Sequence, residues 1–309
     1  MPGVTVSVQA EPTGLDSWLA LARRLESSGF HALLLGDHPG SGAVPWPALG
    51  CAAAVTRTLG LGTYVVQAGV REPMHVAADA ATLDILAPGR VTLGLGAGHT
   101  PREWHDLGQD RPDPPQRAQR LAEFTEVAAR LLQGETVTFA GRHFTLHESR
   151  LDGLPAGGRV RLTVGGGHPR VLRAGARHAD VVALGGLGRT LADGHRHEAR
   201  FAAAHMRRWL RVIREEADRA GRAPVIEVLV HFVRATDDRD AAVEEVSQDF
   251  PSASAEDVAT TPFALIGSPQ QMATQIRTQA RELGITSYVV REPAVPALER
   301  VLPLLTQAR

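Results

Sequence analysis

Lysine and asparagine are both missing from the 309 residues. Without lysine there is no Schiff-base amine, which excludes pyridoxal-phosphate and lysine-aldolase chemistry, and no Walker A lysine for a nucleotide phosphate. Without asparagine, no catalytic or capping role can use its amide. One cysteine, Cys51, excludes an internal disulfide, a CxxC redox pair and any metal or iron–sulfur site built from several thiolates of this chain. A reducing, cytoplasmic setting is expected. No stretch approaches the roughly 18 apolar residues of a membrane span, and the opening MPGVTVSVQAEP lacks the basic and then apolar regions of a secretion signal. No membrane partner is expected. Basic and acidic side chains, 33 against 34, leave a net charge of -1, which favours neither nucleic acid nor anionic lipid. A small molecule is the expected partner.

What the chain does contain is a rhythm. Apolar runs of strand length, at 4–8, 32–36, 62–66, 91–95, 162–164, 181–184, 226–233 and 287–290, alternate with longer segments of helical period. Leu15, Leu19, Ala22 and Leu25 show that period in the first helix, and further helices are predicted over 46–58, 73–86 and 116–132. The run ALLLG at 32–36 is apolar throughout, as a strand covered on both faces should be. Eight strands and eight helices over this length predict an α/β fold, a single (β/α)8 TIM barrel over 1–309, with an open doubly wound sheet as the alternative. Two stretches interrupt the rhythm and are predicted as loop insertions at the barrel mouth: 135–158, with a hairpin around Ala140-Gly141, and 251–268. The Gly- and Pro-rich 154–158 could instead be a domain linker.

In such a barrel the chemistry lies where strands end, so the polar residues after each apolar run are the candidates. They are Asp37 and His38; Gln67 and Arg71; Gly96, Ala97, Gly98 and His99, with Arg102 and Glu103 beyond; Val164 to His168; Leu184, Gly185 and Gly186; and Arg291 and Glu292. Asp37 beside His38 is a carboxylate–imidazole pair able to poise a proton donor, or a loop-capping Asp next to a surface His. Gly165, Gly166 and Gly167 ahead of a helix could cradle a phosphate, although the run is not GxGxxG and gives a Rossmann site little support. His99 and Arg102 could meet an anion, or belong to a solvated loop. Thirteen histidines invite a metal, but there is no HExxH, and His143 with His147 and His195 with His197 follow no strand, so no metal is expected.

The runs GFHALLLGDH, AAAVTRTLGLGTYVV, the segment 73–98, TVTFAGRHFTL, VGGGHPRVLRAGARHADVV and LIGSPQQMATQI resemble, in order, the bacterial luciferase-like flavin/F420 oxidoreductases. The resemblance implies the same barrel, with a flavin or deazaflavin ring at its C-terminal face. It implies a cis peptide between Tyr64 and Val65 packed on that ring, Asp37 and His38 at its reactive edge, and Gly96, Ala97, Gly98 and His99 along it. It further implies Val164 to Gly167 and Leu184 to Gly186 as the cradle for the ribityl chain and phosphate. Asp37, His38 and His99 are thus the implied catalytic residues. The pattern is most similar to the branch using coenzyme F420, which implies hydride transfer between F420H2 and a small-molecule or peptide natural product, at an activated C=C or C=N. A member using FMNH2 would be a monooxygenase consuming O2, and some relatives bind flavin without turnover. A homodimer and a separate cofactor reductase are also implied. Sugar-phosphate dehydrogenases of the family have Glu where this chain has His99, Asn where it has Arg102, and lysine for the phosphate, which argues against that substrate. Arg71, Arg102, Arg170 and Arg291 are left as possible contacts for the polyglutamate tail of F420.

Overall fold

The first strand, β1 (Thr5–Gln9), pairs in parallel with β2 (Ala32–Leu35) on one side and with the last strand, β8 (Ile285–Arg291), on the other. From β2 the ladder runs through β3 (Gly60–Thr63), β4 (Val91–Gly96), β5 (Arg161–Gly165), β6 (Val181–Leu184) and β7 (Val225–Leu229) back to β8. The structure, a computed structural model, describes residues 3–40, 42–152, 160–190, 197–250 and 252–306. Among those residues the eight parallel strands form one closed ring, so the open-sheet alternative fails at the β1–β8 pairing.

Helices α1 (Leu15–Ser27), α2 (Pro45–Val55), α3 (Pro73–Leu86), α4 (Pro114–Leu132), α5 (Pro169–His178), α6 (Ala203–Ala220) and α7 (Pro269–Leu283) connect the strands, and α8 (Val295–Thr306) follows the last. Five of them open on proline, whose missing N–H is no loss in a first turn. Capping boxes from Asp113 with Gln116 and from Ser268 with Gln271 hold the starts of α4 and α7. Alternation along β2 divides its four buried residues: Leu33 and Leu35 join the core beneath the helices, whereas Ala32 and Leu34 face the barrel interior with Tyr64, Ala183 and Val289. No described helix is long and apolar enough to cross a membrane.

Three predicted boundaries change. The run at 62–66 is broken: β3 stops at Thr63, the Tyr64–Val65 peptide bond is cis, and Val66–Gln67 pairs with the end of β4. The Thr63 hydroxyl donates to Gly94 O (3.0 Å) and accepts from Gly94 N (2.8 Å), and any Cβ at Gly94 would overlap Thr63 O. The run at 226–233 is also two strands. β7 leaves the barrel after Leu229, and Phe232–Ala235 forms a separate parallel pair with Ala264–Gly267. Thus 251–268 is not mere loop; its described residues include helix Ala255–Thr260 and that second strand.

The third change concerns 135–158. Strands Val137–Ala140 and Thr145–Ser149 form the predicted hairpin, which follows α4 and packs back along it. Glu123 of α4 accepts from Arg142 N and His143 N, and Phe144 meets Phe124 edge-on. Residues 154–158 lie outside the described residues.

Beneath the mouth the interior is polar. Ser287 donates to Glu227 Oε2 (2.7 Å), Thr5 donates to Ser287, and burial pushes the Glu227 carboxyl up to about 7. A carboxyl whose pKa rises on folding stabilises the fold fully below its unfolded value of 4.5 and loses that contribution as pH climbs through about 7. Glu227→Gln should therefore gain on the parent across that window, by on the order of 3 kcal/mol. Parallel denaturant melts from pH 4 to 8 that keep a constant difference would refute this.

Candidate active site

Asp37 and His38 leave the end of β2 in opposite directions, as successive residues of an extended chain must. Asp37 is buried, and Arg71 grips it with two hydrogen bonds, Nη2 to Oδ1 at 2.7 Å and Nε to Oδ2 at 3.0 Å. Gln67 N donates to the same carboxylate. Asp37 and His38 are thus not hydrogen-bonded to each other, and Asp37 acts on the imidazole only through its charge. His38 Nδ1 instead lies 2.7 Å from Glu103 Oε1.

Glu103 belongs to the short helix Pro101–His105 and is 1% exposed. Its second oxygen accepts from Gln67 Nε2, and Gln67 Oε1 in turn accepts from Gly69 N. Burial alone would raise the Glu103 carboxyl, but the hydrogen bonds from His38 and Gln67 outweigh it and hold it below the usual carboxylate range. The same bond to Glu103 raises the His38 imidazole above its ordinary value, against the opposing effect of burial. With Nδ1 committed to Glu103, Nε2 is the nitrogen left to exchange a proton. Sequence reading placed Glu103 after the fourth strand but gave it no role, because its partner lies 65 residues away.

The β4 loop serves this network. Gly98 has φ +72°, and a Cβ there would overlap both Gln67 and the buried Trp104. Gly96 accommodates the Val65 side chain in the same way, and Ala97 packs on the main core. His99 is exposed at the mouth, yet protein crowds its ring. That desolvation, together with His197 and His38, lowers its pKa to about 4.

A cavity of about 200 Å3 opens beside these residues. Its floor is Tyr64 and Val65; Gly165, Gly166 and Gly167 form one wall, Leu184, Gly185 and Gly186 another, and Ala183, Leu187, Trp209 and Leu229 complete it. Val164 is not part of the lining, since its side chain is buried in the outer core. Asp37, His38, Gly96, Ala97, Gly98 and His99 are outside the lining as well. Residues with no part in the predicted site hold the cavity in shape. Gln9 Nε2 donates to Tyr64 O (2.6 Å) and its Oε1 accepts from Arg291, while His231 Nε2 lies 2.6 Å from Gly185 O. Burial lowers the His231 pKa to about 4, so the neutral ring donates to that carbonyl. His231 interrupts the apolar run at 226–233, which is the one signal that could have marked it.

Two of the arginines proposed for a cofactor tail are engaged elsewhere: Arg71 with Asp37, and Arg102 with Asp106 at 3.1 Å. Arg170 is exposed at the start of α5. His197, expected on a solvated face, stands 5.3 Å from His99, ring centre to ring centre. His195 lies outside the described residues.

The His38–Glu103 pair has a defined pH window. The depressed Glu103 pKa contributes stability above 4.5 and the raised His38 pKa contributes it below 6.5, lost as pH rises through the folded His38 value. Glu103→Gln should lower the His38 pKa, and the stability gap between the two proteins should narrow above that window. An unchanged imidazole titration by NMR would show that the pair is not coupled.

The family profile described as luciferase-like monooxygenase matches residues 2–257. Among curated proteins, the chain is 42% identical over 148 residues to 4-hydroxyprotoasukamycin monooxygenase of Streptomyces nodosus subsp. asukaensis, covering 46% of this chain and 39% of that protein. It is 34% identical over 194 residues to an F420-dependent glucose-6-phosphate dehydrogenase of Beutenbergia cavernae, covering 59% and 56%. The matches thus span from about two fifths to just over half of these relatives. Among solved structures, an F420-dependent secondary alcohol dehydrogenase in complex with an F420-acetone adduct superposes with a TM-score of 0.77 at 20% identity, over 99% of this chain and 100% of that one. A long-chain alkane monooxygenase does so at 0.75 and 18%, over 99% and 92%. At such identities these structures speak for the fold, and it is the profile match over most of the sequence that establishes that the chain belongs to the luciferase-like monooxygenase family.

Proposed function

We propose that the protein is an F420-dependent oxidoreductase that reduces an activated C=C or C=N in a small organic or natural-product substrate. The observation that carries this reading is that the strand ends of one barrel hold both a glycine-lined cavity and an imidazole backed by a buried carboxylate.

The residues present fit a tricyclic ring with a phosphate-bearing tail. Tyr64 and Val65 offer a flat floor, and a Cβ at Gly185 would meet nothing within 4 Å, so open space adjoins that backbone. Gly165 to Gly167 lead into the N-terminus of α5, where Pro169 has no N–H and Arg170 N donates to His168 Nδ1, so it is the helix dipole that favours an anion there. Reduced F420, when bound, supplies a hydride. His38 would hold and deliver a proton from Nε2, Glu103 keeps that ring in one orientation, and His99, neutral at pH 7, borders the substrate side. F420-dependent names recur among the relatives, including an F420-dependent hydroxymycolic acid dehydrogenase of Mycobacterium tuberculosis at 33% identity over 165 residues.

A second reading, an FMNH2-dependent monooxygenase with a partner reductase, draws support from the 42% identity to a monooxygenase. Titration with F420, F420H2 and FMN, and with FMNH2 under anaerobic conditions, separates the two. Preference for the deazaflavins is expected; tight binding of FMNH2 alone would replace the first reading by the second.

Two substitutions test the residue roles. His38→Ala should cut turnover by about a hundredfold or more while cofactor affinity changes little; undiminished turnover would remove His38 from the chemistry. Gly166→Val should weaken cofactor binding, because Gly166 has φ +154° and its Cβ would press on Val171 at 3.0 Å. Intact affinity would discard the cradle.

A further inference from the structure

Of the four tryptophans, Trp209 alone lines the cavity, and its indole N–H is unused. The residue sits on α6, is 4% exposed, and makes no hydrogen bond to any of the described residues. Trp18, by contrast, donates to Ala48 O at 2.8 Å, and Trp104 is packed under Gly69 and Gly98, away from the lining. An indole N–H taken out of bulk water ordinarily has an acceptor. Here the nitrogen keeps some accessible surface, and the cavity is the open space that its ring lines.

The nitrogen-bearing edge lies against Gly167. A Cβ at that glycine would stand 3.2 Å from Trp209 Cζ2, 3.3 Å from Cε2 and 3.4 Å from Nε1, so the bare backbone leaves the indole edge uncovered. His205, one turn earlier on α6, stacks on the ring at 6.1 Å, and Phe263 meets it edge-on at 6.3 Å. Phe263 also packs against Gly186, where a Cβ would overlap it, so the direction of the N–H is fixed from the second wall of the cavity.

The glycine wall is short of donors. α5 presents the positive end of its dipole to Gly165 through Gly167, which favours negative charge there. Yet Pro169 has no N–H, Arg170 N donates to His168 Nδ1 at 3.2 Å, and Gly166 N donates to Ala183 O at 3.0 Å. Three backbone positions that an anion could use are closed by the chain itself. An indole N–H donates and never accepts, so its partner must offer a lone pair, and the dipole selects an anionic one. A phosphoryl oxygen meets both conditions.

From this we infer that Trp209 Nε1 is the side-chain donor to a phosphoryl group held between Gly165–Gly167 and α6. The inference rests on the proposal that this cavity takes a phosphate-bearing redox cofactor, and it adds to the glycine cradle a residue from the helix beyond the sixth strand. It also gives Gly167 its own reason to be glycine, since a side chain there would press on the indole.

The deazaflavin nucleoside of F420 and its monophosphate ester differ by the phosphate alone, as do riboflavin and FMN, and calorimetric titration with both pairs tests the inference. Trp209→Phe keeps an aromatic ring beside Phe263 and removes the N–H. It should weaken binding of the monophosphate about tenfold and leave the nucleoside unchanged. Equal losses for the two, or no loss for the monophosphate, would overturn the inference. Should the variant fail to fold, NMR of the parent protein decides: the monophosphate should move the Trp209 indole N–H signal downfield of its position with the nucleoside, and coincident signals overturn the donor role. A preference between the deazaflavin and flavin pairs bears only on the cofactor reading. If neither pair binds, that reading fails by itself and inorganic phosphate replaces the esters; the indole signal should then move with phosphate and not with chloride, and an unmoved signal overturns the inference.

Discussion

The parallel register of β1 against β8, with Thr5 opposite Ser287 and Gln9 opposite Arg291, joins the two ends of the sequence and determines where every strand end points. Because the ring closes there, Arg291 of the last strand holds Gln9 of the first, and Gln9 in turn holds Tyr64 O at the floor of the mouth. The same register stacks Thr5, Ser287 and Glu227 in the interior below. An open sheet would leave these residues on separate edges, and no floor would form.

Above the floor, the mouth is organised by the way its carboxylates are used. Asp37 is neutralised by Arg71, a bidentate pair that fixes the β2 loop, and Glu103 anchors His38 and Gln67 together. Each carboxylate is almost fully buried, where an unpaired charge would be costly, so both must remain in their pairs. The consequence is that these two acidic groups act on protein, one of them holding the His38 imidazole by its Nδ1. The glycines divide in a similar way. Those after β4 make room for Val65, Gln67 and Trp104, whereas those after β5 and β6 expose backbone to the cavity.

Much of the fold was legible in the sequence. The alternation of apolar runs and helical periods is a local signal, and so is a run such as Ala32–Leu35 that is apolar on both faces. The Tyr64–Val65 position and the glycine walls were legible through family resemblance, which carries positions that no propensity marks. The breaks in the runs at 62–66 and 226–233 were not, since apolar composition continues through them while the chain changes partner strand. Nor was the location of the hairpin, because its seat depends on Glu123, Phe124 and Phe144 meeting across a turn.

The site shows the same division more sharply. Residue types at strand ends told that Asp37, His38 and His99 gather at one face, because strand order and barrel closure require it. They could not tell that Asp37 turns inward to Arg71, or that Glu103 takes its place beside His38. By itself the sequence determined composition, periodicity and the chemistry excluded by the absence of lysine and by a single cysteine, all of which are additive along the chain. Pairing of carboxylates and the lowered His99 and His231 pKa values were decided only by the tertiary structure. The physical reason is that charge stabilisation and desolvation depend on separations of a few ångströms between residues that lie tens of positions apart.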